Sequence, residues 1–548
     1  MSSTAATSNG AAAATNGHPT AKAPTAPRPS TGSTLIDAAR LERLAGIVRT
    51  EGPREMREVE APFTGQTIGS VPMCDEADLT AALERARVAQ ARWAQTSFAE
   101  RKAILLRFHD LVLDRQAEAL DLLQIEAGKA RAQAFEEVID TAIVARYYAN
   151  TGEAHLRTQK RQGAIPVLTQ SWQHHHPIGV VAIIAPWNYP LTLAISDATP
   201  ALMAGNAVVL KPDQQTPFCA LWGVELLREA GMPADLFQVV TGSGARLGKP
   251  MIEGSDYIMF TGSTATGRTV ASQAGEQLIP CSMELGGKNA MIVCEDANIG
   301  KAVDGAERAM FGNAGQLCIS IERLLVHESV ADEFTRRLAQ RIGEMKLNTD
   351  LSWKADMGSL ISQGQLDTVR AHVEDAVKKG AKVLAGGKAR PDIGPYFHEP
   401  TLLDGISEGM TCFREETFGP VVAVSRFTDE DDAIARANDT EYGLNASVWT
   451  KDTARGRKIA ARLRSGTVNV NEGYIATWGS TDAPMGGMGD SGLGRRHGAE
   501  GIKKYTESQG VAVQRLMPIA PVKPMTPAMW AKVMTLGLRI LKRTPGIK

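Results

Sequence analysis

A cysteine and a glutamate are the residues of this chain best suited to covalent chemistry. Cys318 ends the segment FGNAGQLC, and Glu284 stands 34 positions earlier in MELGGK. A lone cysteine among Gly, Asn and Gln suggests a thiol held close to backbone amides. A glutamate beside Leu-Gly-Gly suggests a carboxylate that a ligand or another segment approaches closely. Together they indicate an enzyme with a thiol nucleophile and a separate base.

Asn188 is a third candidate for chemistry. It lies in IAPWNYP, which closes an apolar run, and ligands of open α/β sheets bind at such strand ends. An amide that faces a reacting carbonyl can stabilise the oxyanion, an effect of roughly 3 to 4 kcal/mol. Alternatively, Asn188 caps a helix that starts near Leu191. Both interpretations stay open from the residues alone.

Polar turns after three further predicted strands indicate a nucleotide site. They are KP at 211–212, TGSG at 241–244 and TGSTATG at 261–267. The last turn opens a predicted helix whose free amides suit a phosphate. The usual dinucleotide fingerprint is not matched, because Leu247 follows Gly242 and Gly244 where the third glycine is expected.

These residues need parallel sheets to bring them together. Short β-branched runs alternate with helical stretches from residue 178, which is typical of a parallel sheet with crossover helices. The predicted strands are 180–184, 208–210, 237–240, 257–260 and 291–293. Amphipathic helices are predicted at 75–93 and 100–128, and a second α/β stretch at about 298–489. The pattern predicts two open lobes with a cleft between them.

Composition narrows the class of protein. The chain has 548 residues, of which 43% are hydrophobic, so it can bury a large core. Its 60 Lys and Arg residues nearly balance 61 Asp and Glu residues, which gives no field that favours nucleic acid. The six cysteines lack paired spacing, which argues against a disulfide framework or a zinc site and fits a reducing cytoplasm. No apolar run approaches the ~20 residues of a membrane span.

Seven motifs stand in the order and spacing of the aldehyde dehydrogenase superfamily, which the chain resembles over roughly residues 35–516. They are PWN (186–188), KP (211–212), GST with Gly267, ELGGK (284–288), GQLC (315–318), EETFGP (415–420) and SGLGR (491–495). The resemblance is nearest to the branch of NADP-dependent succinate-semialdehyde dehydrogenases. It implies an α/β fold with a Rossmann-like cofactor domain, a catalytic domain and a small β oligomerisation arm.

The resemblance also implies a mechanism. Cys318 would attack an aldehyde carbonyl, while the Asn188 amide and the Cys318 backbone N–H hold the oxyanion. After a hydride passes to the nicotinamide, Glu284 would activate the water that hydrolyses the thioester to a carboxylic acid. An apolar setting can give Glu284 the raised pKa that such a base needs.

The cofactor residues follow from the same resemblance. Trp187 and Ser263 would lie along the pyrophosphate, Lys211 at the adenosine ribose, and Glu416 and Phe418 at the nicotinamide ribose and ring. The remaining candidates are Gln214, Gly242, Gly262, Gly267 and Leu285. Many members have a glutamate at position 214 that repels a 2′-phosphate, so the neutral Gln214 favours NADP over NAD.

Two departures from the family pattern concern the substrate and the proton path. Ser196 replaces an arginine of better-known succinate-semialdehyde dehydrogenases, and Asp197 replaces a lysine to which a proton relay is assigned in several branches. Succinate semialdehyde is the predicted substrate. A medium-chain or aromatic aldehyde is the alternative, because the residues beside Cys318 and in the expected substrate-lining loop are apolar or aromatic. They are Leu317, Ile319, Tyr474, Ile475 and Trp478. A distant alternative, an inactive binding or structural relative, would be expected to have lost Cys318 or Asn188.

The predicted domain organisation has five parts. Residues 1–33 form a disordered tail, 34–160 and 178–286 the dinucleotide-binding domain, 287–490 the catalytic domain, 161–177 and 505–516 the oligomerisation arm, and 517–548 a C-terminal helical extension. A homodimer or homotetramer is expected. From Thr526 the extension predicts a basic amphipathic helix, whose apolar face is expected to dock on the parent fold or a neighbouring subunit. Peripheral contact of residues 526–543 with an anionic membrane is the alternative.

Two eye-catching features are interpreted as structural. His174, His175 and His176 lie in an extended segment, where consecutive side chains point to opposite faces, so no metal site is predicted. Arg323, five residues after Cys318, is expected to have a structural role rather than to bind substrate.

Overall fold

The computed structural model of the protein describes residues 32–166, 168–543 and 545. The predicted tail at 1–33 therefore lies outside the described residues except for its last two. The described chain contains a six-stranded and a seven-stranded sheet with flanking helices, a three-stranded sheet and a hairpin.

Helices dominate residues 32–160. In chain order the elements are α1 (Ala38–Ala45), β1 (Met56–Ala61), β2 (Gln66–Pro72), α2 (Glu76–Trp93), α3 (Phe98–Asp114), α4 (Gln116–Ala127) and α5 (Arg131–Leu156). Asp75 and Ser97 begin α2 and α3 with reciprocal capping boxes. The single helix predicted at 100–128 is two helices, because Arg115 leaves helical geometry and its guanidinium binds Glu118 and Glu229.

The six-stranded sheet is built mainly from the next segment of the chain. Its region contains β3 (Gln159–Gln162), β4 (Thr169–Pro177), β5 (Val180–Ile184), α6 (Thr192–Ile195), α7 (Ala198–Met203), β6 (Ala207–Lys211), α8 (Pro217–Glu229), β7 (Phe237–Val239), α9 (Gly244–Gly254), β8 (Tyr257–Thr261), α10 (Thr264–Glu276) and β9 (Cys281–Glu284). Strands β9, β8, β5, β6 and β7 are parallel neighbours in that order. Strands β6 and β8 are buried along their whole length, as expected for a sheet covered on both faces.

The seven-stranded sheet follows. Its region contains β10 (Asn289–Val293), α11 (Ile299–Phe311), β11 (Ile321–His327), α12 (Glu328–Glu344), α13 (Gln363–Lys378), β12 (Lys382–Ala385), β13 (Thr401–Asp404), α14 (Thr411–Arg414), β14 (Val421–Phe427), α15 (Glu430–Asn438), β15 (Asn445–Trp449), α16 (Thr453–Ala460), β16 (Thr467–Val470) and α17 (Ile475–Trp478). The strand order is β12, β13, β14, β11, β10, β15 and β16, with only β12 antiparallel to its neighbour. The predicted strand at 291–293 belongs to this second sheet.

The chain returns to the first sheet near its end. The last elements are β17 (Gly492–Leu493), α18 (Gly498–Lys503), β18 (Thr506–Gln514) and α19 (Pro527–Leu541). Strand β17 pairs antiparallel with β9, so that Gly492 lies opposite Glu284. Strands β18, β4 and β3 form the three-stranded antiparallel sheet. A segment from near the end of the chain therefore lies beside the carboxyl end of β9.

The C-terminal helix forms where the sequence predicts it. Thr526 accepts a hydrogen bond from the Met529 N–H and Pro527 occupies the first turn. None of residues 527–541 is buried, so this helix does not dock its apolar face on the core of its own chain.

Candidate functional site

Loops at the carboxyl ends of three parallel strands line a cleft beside Cys318. Its volume is about 280 Å³, and its walls come from the loops after β5, β8 and β9, from the Cys318 loop and from the 416–418 loop. The predicted site residues that line it are Trp187, Asn188, Gly262, Ser263, Leu285, Cys318, Glu416 and Phe418. The sheet topology thus gathers residues from five of the seven motifs into one cleft.

The loop that carries Cys318 has an unusual backbone. Asn313, Ala314 and Gly315 all adopt left-handed conformations, with φ of 52°, 54° and 71°. A side chain at Gly315 would meet the Gly419 carbonyl at 2.2 Å, so only glycine allows this contact. The Asn289 amide donates to the Cys318 carbonyl at 2.7 Å and fixes the end of the loop. Strained backbone of this kind persists only where the surroundings impose it.

The Cys318 thiol is protonated in the free protein. Burial raises its pKa to about 12, the positive charge of Arg496 opposes that rise, and the negative charges of Glu284 and Glu416 add to it. The thiolate is the nucleophilic form. Attack on a substrate therefore requires that the proton leave first.

Asn188 is directed at the cysteine loop. Its Nδ2 donates to the Gln316 carbonyl at 3.1 Å, and Asn313 donates to the Asn188 carbonyl at the same distance. The helix-cap alternative is wrong, because α6 begins at Thr192 without a side-chain cap from Asn188. Instead Glu137, a buried residue of α5, accepts from the Leu191 and Thr192 N–H groups at 3.0 and 3.1 Å. Sequence reasoning missed this role of Glu137.

Glu284 ends β9 and is buried. Burial raises the pKa of its carboxyl, as the apolar sequence context predicts, while Arg496 and Lys504 lower it. Its Oε1 has no hydrogen-bond partner among the described residues. Glu284 therefore has an environment that makes its carboxylate a stronger base than a solvent-exposed glutamate.

Glu416 and Phe418 lie on a loop held by a buried ion pair. Lys288 donates to Glu322 at 2.5 Å, and Glu322 accepts from the Thr417 and Phe418 N–H groups at 3.0 Å. Burial raises the pKa of Glu416 to about 8, and the charge of Glu322 adds to the rise. Sequence reasoning missed Glu322, although a charged residue that is buried in a strand is a usable signal.

Aromatic and amide side chains complete this side of the cleft. The rings of Trp187 and Phe418 pack edge to face at 5.5 Å. Gln365 of α13 donates to the Thr417 and Phe418 carbonyls at 3.1 and 2.8 Å. Gln365 was not predicted, since nothing in the sequence relates α13 to this loop.

Close approaches shape the glycine-rich turns. A side chain at Gly267 would lie 2.4 Å from Leu285, and one at Gly242 would lie 2.9 Å from Leu247. Ser263 caps α10 by accepting from the Thr266 N–H at 3.3 Å, so the first turn of α10 opens beside the cleft. These turns form a narrow cradle in which backbone amides are accessible to a phosphate.

Lys211 lies at the end of β6, and Gln214 follows in the next turn. Burial lowers the pKa of Lys211, and the charge of Asp213 opposes that change. Asp213 accepts from the Gln215 N–H at 2.9 Å. The turn therefore contains a cation (Lys211) and a neutral amide (Gln214), while the carboxylate of Asp213 accepts a hydrogen bond from the backbone.

Arg496 is a site residue that sequence reasoning missed. It donates to Asp197 at 2.7 Å and to the Thr261 hydroxyl at 3.1 Å, and its Nε lies 4.0 Å from Glu284 Oε1. Asp197, which replaces the family's lysine, is therefore paired with a cation from near the end of the chain. The sequence holds no signal for the contacts of Arg496 with Asp197 and Glu284, because the pairing of β17 with β9 brings Arg496 to this place.

Aromatic residues belong to the core cluster against which Cys318 packs. Tyr474 is buried and donates to Glu136 at 3.1 Å, and the rings of Trp478 and Tyr189 pack edge to face at 5.4 Å. Ser196 donates to the buried carboxylate of Asp140 at 2.9 Å. The position that holds an arginine in better-known succinate-semialdehyde dehydrogenases thus contacts an acid here.

Two predicted structural features agree with their contacts. The Arg323 guanidinium donates to the carbonyls of Lys288, Arg436 and Ala437, which confirms its structural role. The three histidines of β4 bond to different partners: His174 to Thr158, His175 to Thr506 and His176 to Gln509.

Within the described chain, no helix has the length and hydropathy to cross a bilayer.

Comparison with known sequences gives extended matches. Residues 47–511 match the model described as the aldehyde dehydrogenase family. A Mycolicibacterium smegmatis protein named “Putative succinate-semialdehyde dehydrogenase, NADP(+)” is 52% identical over 510 residues, which cover 93% of this chain and 98% of the relative. Succinate-semialdehyde dehydrogenase NADP(+) GabD of Escherichia coli K12 is 37% identical over 459 residues, which cover 83% of this chain and 93% of GabD.

Solved structures share the fold. A crystal structure of an E. coli NADP-dependent enzyme has a TM-score of 0.81 at 35% identity, covering 86% of this chain and 99% of that one. The NAD+ complex of an aldehyde dehydrogenase from Bacillus cereus has a TM-score of 0.80 at 33% identity, covering 84% and 93%.

Proposed function

Since this chain belongs to the aldehyde dehydrogenase family, we propose that it oxidises an aldehyde to a carboxylic acid through a thioester on Cys318. The observation that carries the proposal is the shared cleft of Cys318 and Asn188, with the charge of Glu284 close enough to raise the pKa of the thiol. A nucleophile, an oxyanion donor and a base are the parts that this chemistry requires.

Each of the three residues has one role. The Cys318 thiolate attacks the aldehyde carbon, and the Asn188 Nδ2 turns from the Gln316 carbonyl to the developing oxyanion. After oxidation, Glu284 takes a proton from water as the water oxygen attacks the thioester. The carbon–sulfur bond then breaks, and the acid leaves while Cys318 is restored.

The cradle fits a nicotinamide dinucleotide. Glycines 242, 262 and 267 let their turns pack closely on Leu247, Phe260 and Leu285, where a side chain would collide, and the buried Glu416 offers a polar group to a ribose. Trp187 and Ser263 would hold the pyrophosphate, Lys211 and Gln214 the adenosine ribose, and Glu416 and Phe418 the nicotinamide end. When bound, the cofactor accepts the hydride from the substrate.

The domain assignment belongs to the same proposal. Residues 34–160 and 178–286 would bind the cofactor and residues 287–490 would supply Cys318. The change from the six-stranded to the seven-stranded sheet between Glu284 and Asn289 supports this boundary.

The six unpaired cysteines support a cytoplasmic location.

Succinate semialdehyde is the proposed substrate and NADP the proposed cofactor. The names of the mycobacterial and E. coli relatives support both, and the neutral Gln214 supports NADP. A medium-chain or aromatic aldehyde is the second candidate, because the contact of Ser196 with Asp140 and the packing of Trp478 on Tyr189 suit an apolar tail.

An aldehyde panel tests substrate and cofactor together. We expect purified protein to oxidise succinate semialdehyde with a higher kcat/KM than hexanal or benzaldehyde, and to prefer NADP to NAD. Gln214→Glu should lower kcat/KM for NADP about tenfold or more, because a carboxylate repels the 2′-phosphate, with little change for NAD.

The outcomes of the panel separate the candidates. A preference for hexanal or benzaldehyde would select the second substrate, and equal use of both cofactors by the wild type would reject the NADP assignment. Failure to oxidise any aldehyde of the panel with either cofactor would remove the enzyme proposal itself.

The three-stranded sheet is the proposed contact between subunits of a homodimer or homotetramer. Strand β18 is largely exposed along its length, and a small sheet with open edges can pair or pack with a second copy.

The C-terminal helix is proposed to lie on an anionic membrane surface. Residues 508–548 contain no acidic residue and seven cations. On α19 the basic side chains share one face, and five apolar side chains are more than half exposed: Met529 (55%), Val533 (52%), Leu536 (59%), Leu538 (62%) and Ile540 (59%). A helix with a basic and a broad apolar face, including Trp530, is suited to the boundary between lipid headgroups and acyl chains.

Vesicle sedimentation tests the membrane contact. The full-length protein should sediment with vesicles containing 30% phosphatidylserine but not with pure phosphatidylcholine, and 0.5 M NaCl should weaken the binding because salt screens the attraction. Val533→Asp with Leu536→Asp should abolish sedimentation, while Val88→Asp on the exposed surface of α2 should not. If the wild type does not sediment with anionic vesicles and the double variant has a lower mass in solution, the apolar face instead packs on a second copy of the chain.

A further inference from the structure

Two buried polar atoms face each other beside the base. Neither Oε1 of Glu284 nor Nε of Arg496 has a hydrogen-bond partner among the described residues, and the two atoms are 4.0 Å apart. Buried polar groups are nearly always bonded, so a matched pair of exceptions calls for an explanation. A small rotation of either side chain, or one water molecule, would join them.

The position of Arg496 is fixed from several directions. Its backbone exchanges hydrogen bonds with Met485, and its guanidinium donates to Asp197 and the Thr261 hydroxyl. The pairing of Gly492 with Glu284 sets the distance between this segment and β9. Arg496 therefore presents its Nε donor to Glu284 without being free to leave.

A small cavity adjoins Arg496 and Asp197. Its volume is about 20 Å³, which is enough for one water molecule, and its walls include Asp140, Ser196, Asp197, Arg496 and Lys504. The charged and titratable groups that act on Glu284 and its surroundings come from five segments: Arg495 and Arg496, Lys504, Asp197, Cys318 and Tyr257. Among the groups that lower the pKa of Glu284, Arg496 has the largest effect.

We propose that Arg496 is a positioning residue that keeps Glu284 ionised and aimed between turnovers, and that Asp197 limits how strongly it does so. The inference rests on the proposed function, in which Glu284 activates the water of thioester hydrolysis. When Glu284 accepts the proton of that water, its charge disappears and its attraction to Arg496 ends. Arg496 remains protonated throughout, so Glu284 must return that proton to water and not to Arg496.

The two partners of Glu284 should have opposite effects on the pH profile. Arg496→Met removes the charge that stabilises the carboxylate, so the pKa of Glu284 rises and the acid limb of kcat moves about one unit to higher pH. Asp197→Asn removes a charge that raises the same pKa, so the limb moves to lower pH. A purely structural role would not reverse sign between the two variants.

Further variants keep the test decisive. Arg496→Met leaves Asp197 unpaired and could fail to fold for that reason. In that case the double variant Arg496→Met with Asp197→Asn removes both charges. It should still move the acid limb to higher pH, by less than the shift expected for Arg496→Met alone. Arg496→Lys should restore most of the wild-type profile. Arg341→Met, which removes an arginine from the surface of α12, serves as the matched control.

A second readout requires no aldehyde. Iodoacetamide alkylation of Cys318, followed by peptide mass, should be about tenfold slower at pH 8 in Arg496→Met, because Arg496 favours the thiolate. The inference would be overturned if Arg496→Met changed neither the alkylation profile nor the acid limb of kcat. It would also be overturned if Arg496→Met and Asp197→Asn moved the acid limb in the same direction. If the wild type oxidises no aldehyde, the proposed function fails while the alkylation profile still tests Arg496.

Discussion

Replacing Cys318 with alanine is expected to lower kcat by about 10⁴-fold or more, because the reaction loses its nucleophile. The loss should be specific to chemistry. Alanine removes one sulfur from a loop that is held by Asn289 and by the contact of Gly315 with Gly419, so the fold and cofactor affinity should be retained. Steady-state kinetics with the preferred aldehyde measure the first effect, and cofactor fluorescence titration the second.

Cys281→Ala is the matched control for this variant. Cys281 lies half-buried in β9, three residues before Glu284, and burial raises its pKa as well. It is outside the cleft, so its replacement should leave turnover within about twofold of wild type, as is usual away from functional groups. More than about one per cent residual turnover in Cys318→Ala would point to a different nucleophile.

Glu284→Gln should separate the two halves of the reaction. Loss of a general base typically lowers the rate of the step it serves by about 10²- to 10⁴-fold. The variant should still form the thioester and release one equivalent of reduced cofactor per site in a rapid burst. Steady-state turnover should then fall by about that factor, because water is no longer activated.

Stopped-flow absorbance and intact-mass spectrometry measure the two halves. The acyl adduct should accumulate on Cys318 in Glu284→Gln and be absent from Cys318→Ala. Glu276→Gln, at the exposed end of α10, is the control and should show no accumulation. A variant that loses the burst together with turnover would place Glu284 in the first half of the reaction instead.

The sequence predicted the sheets well because their signal is local. Strands such as Val180–Ile184 and Tyr257–Thr261 are short buried β-branched or aromatic runs bounded by turns, and each agrees with its prediction within one or two residues. The long helix predicted at 100–128 was wrong in one respect, since its periodicity gave no sign of the break at Arg115. At that residue the backbone leaves helical geometry, with φ of −102° and ψ of 18°.

Asn188 shows where local reasoning stops. A polar residue before a helix has the pattern of a cap, and the residues alone could not choose between capping and catalysis. The choice became clear only because Glu137 of α5 bonds the first amides of α6. Once another side chain satisfies those donors, the Asn188 amide is available to the cleft.

The sequence by itself determined the reaction class, through the motifs around Asn188, Glu284 and Cys318, and the α/β architecture, through the alternation of its elements. The tertiary structure alone decided which distant charges act on those residues. Glu322 holds the Glu416 loop and Arg496 faces Glu284 because sheet register and the late return of β17 set their distances. Electrostatic effects depend on separation in space and on burial, and neither can be obtained from the order of residues along the chain.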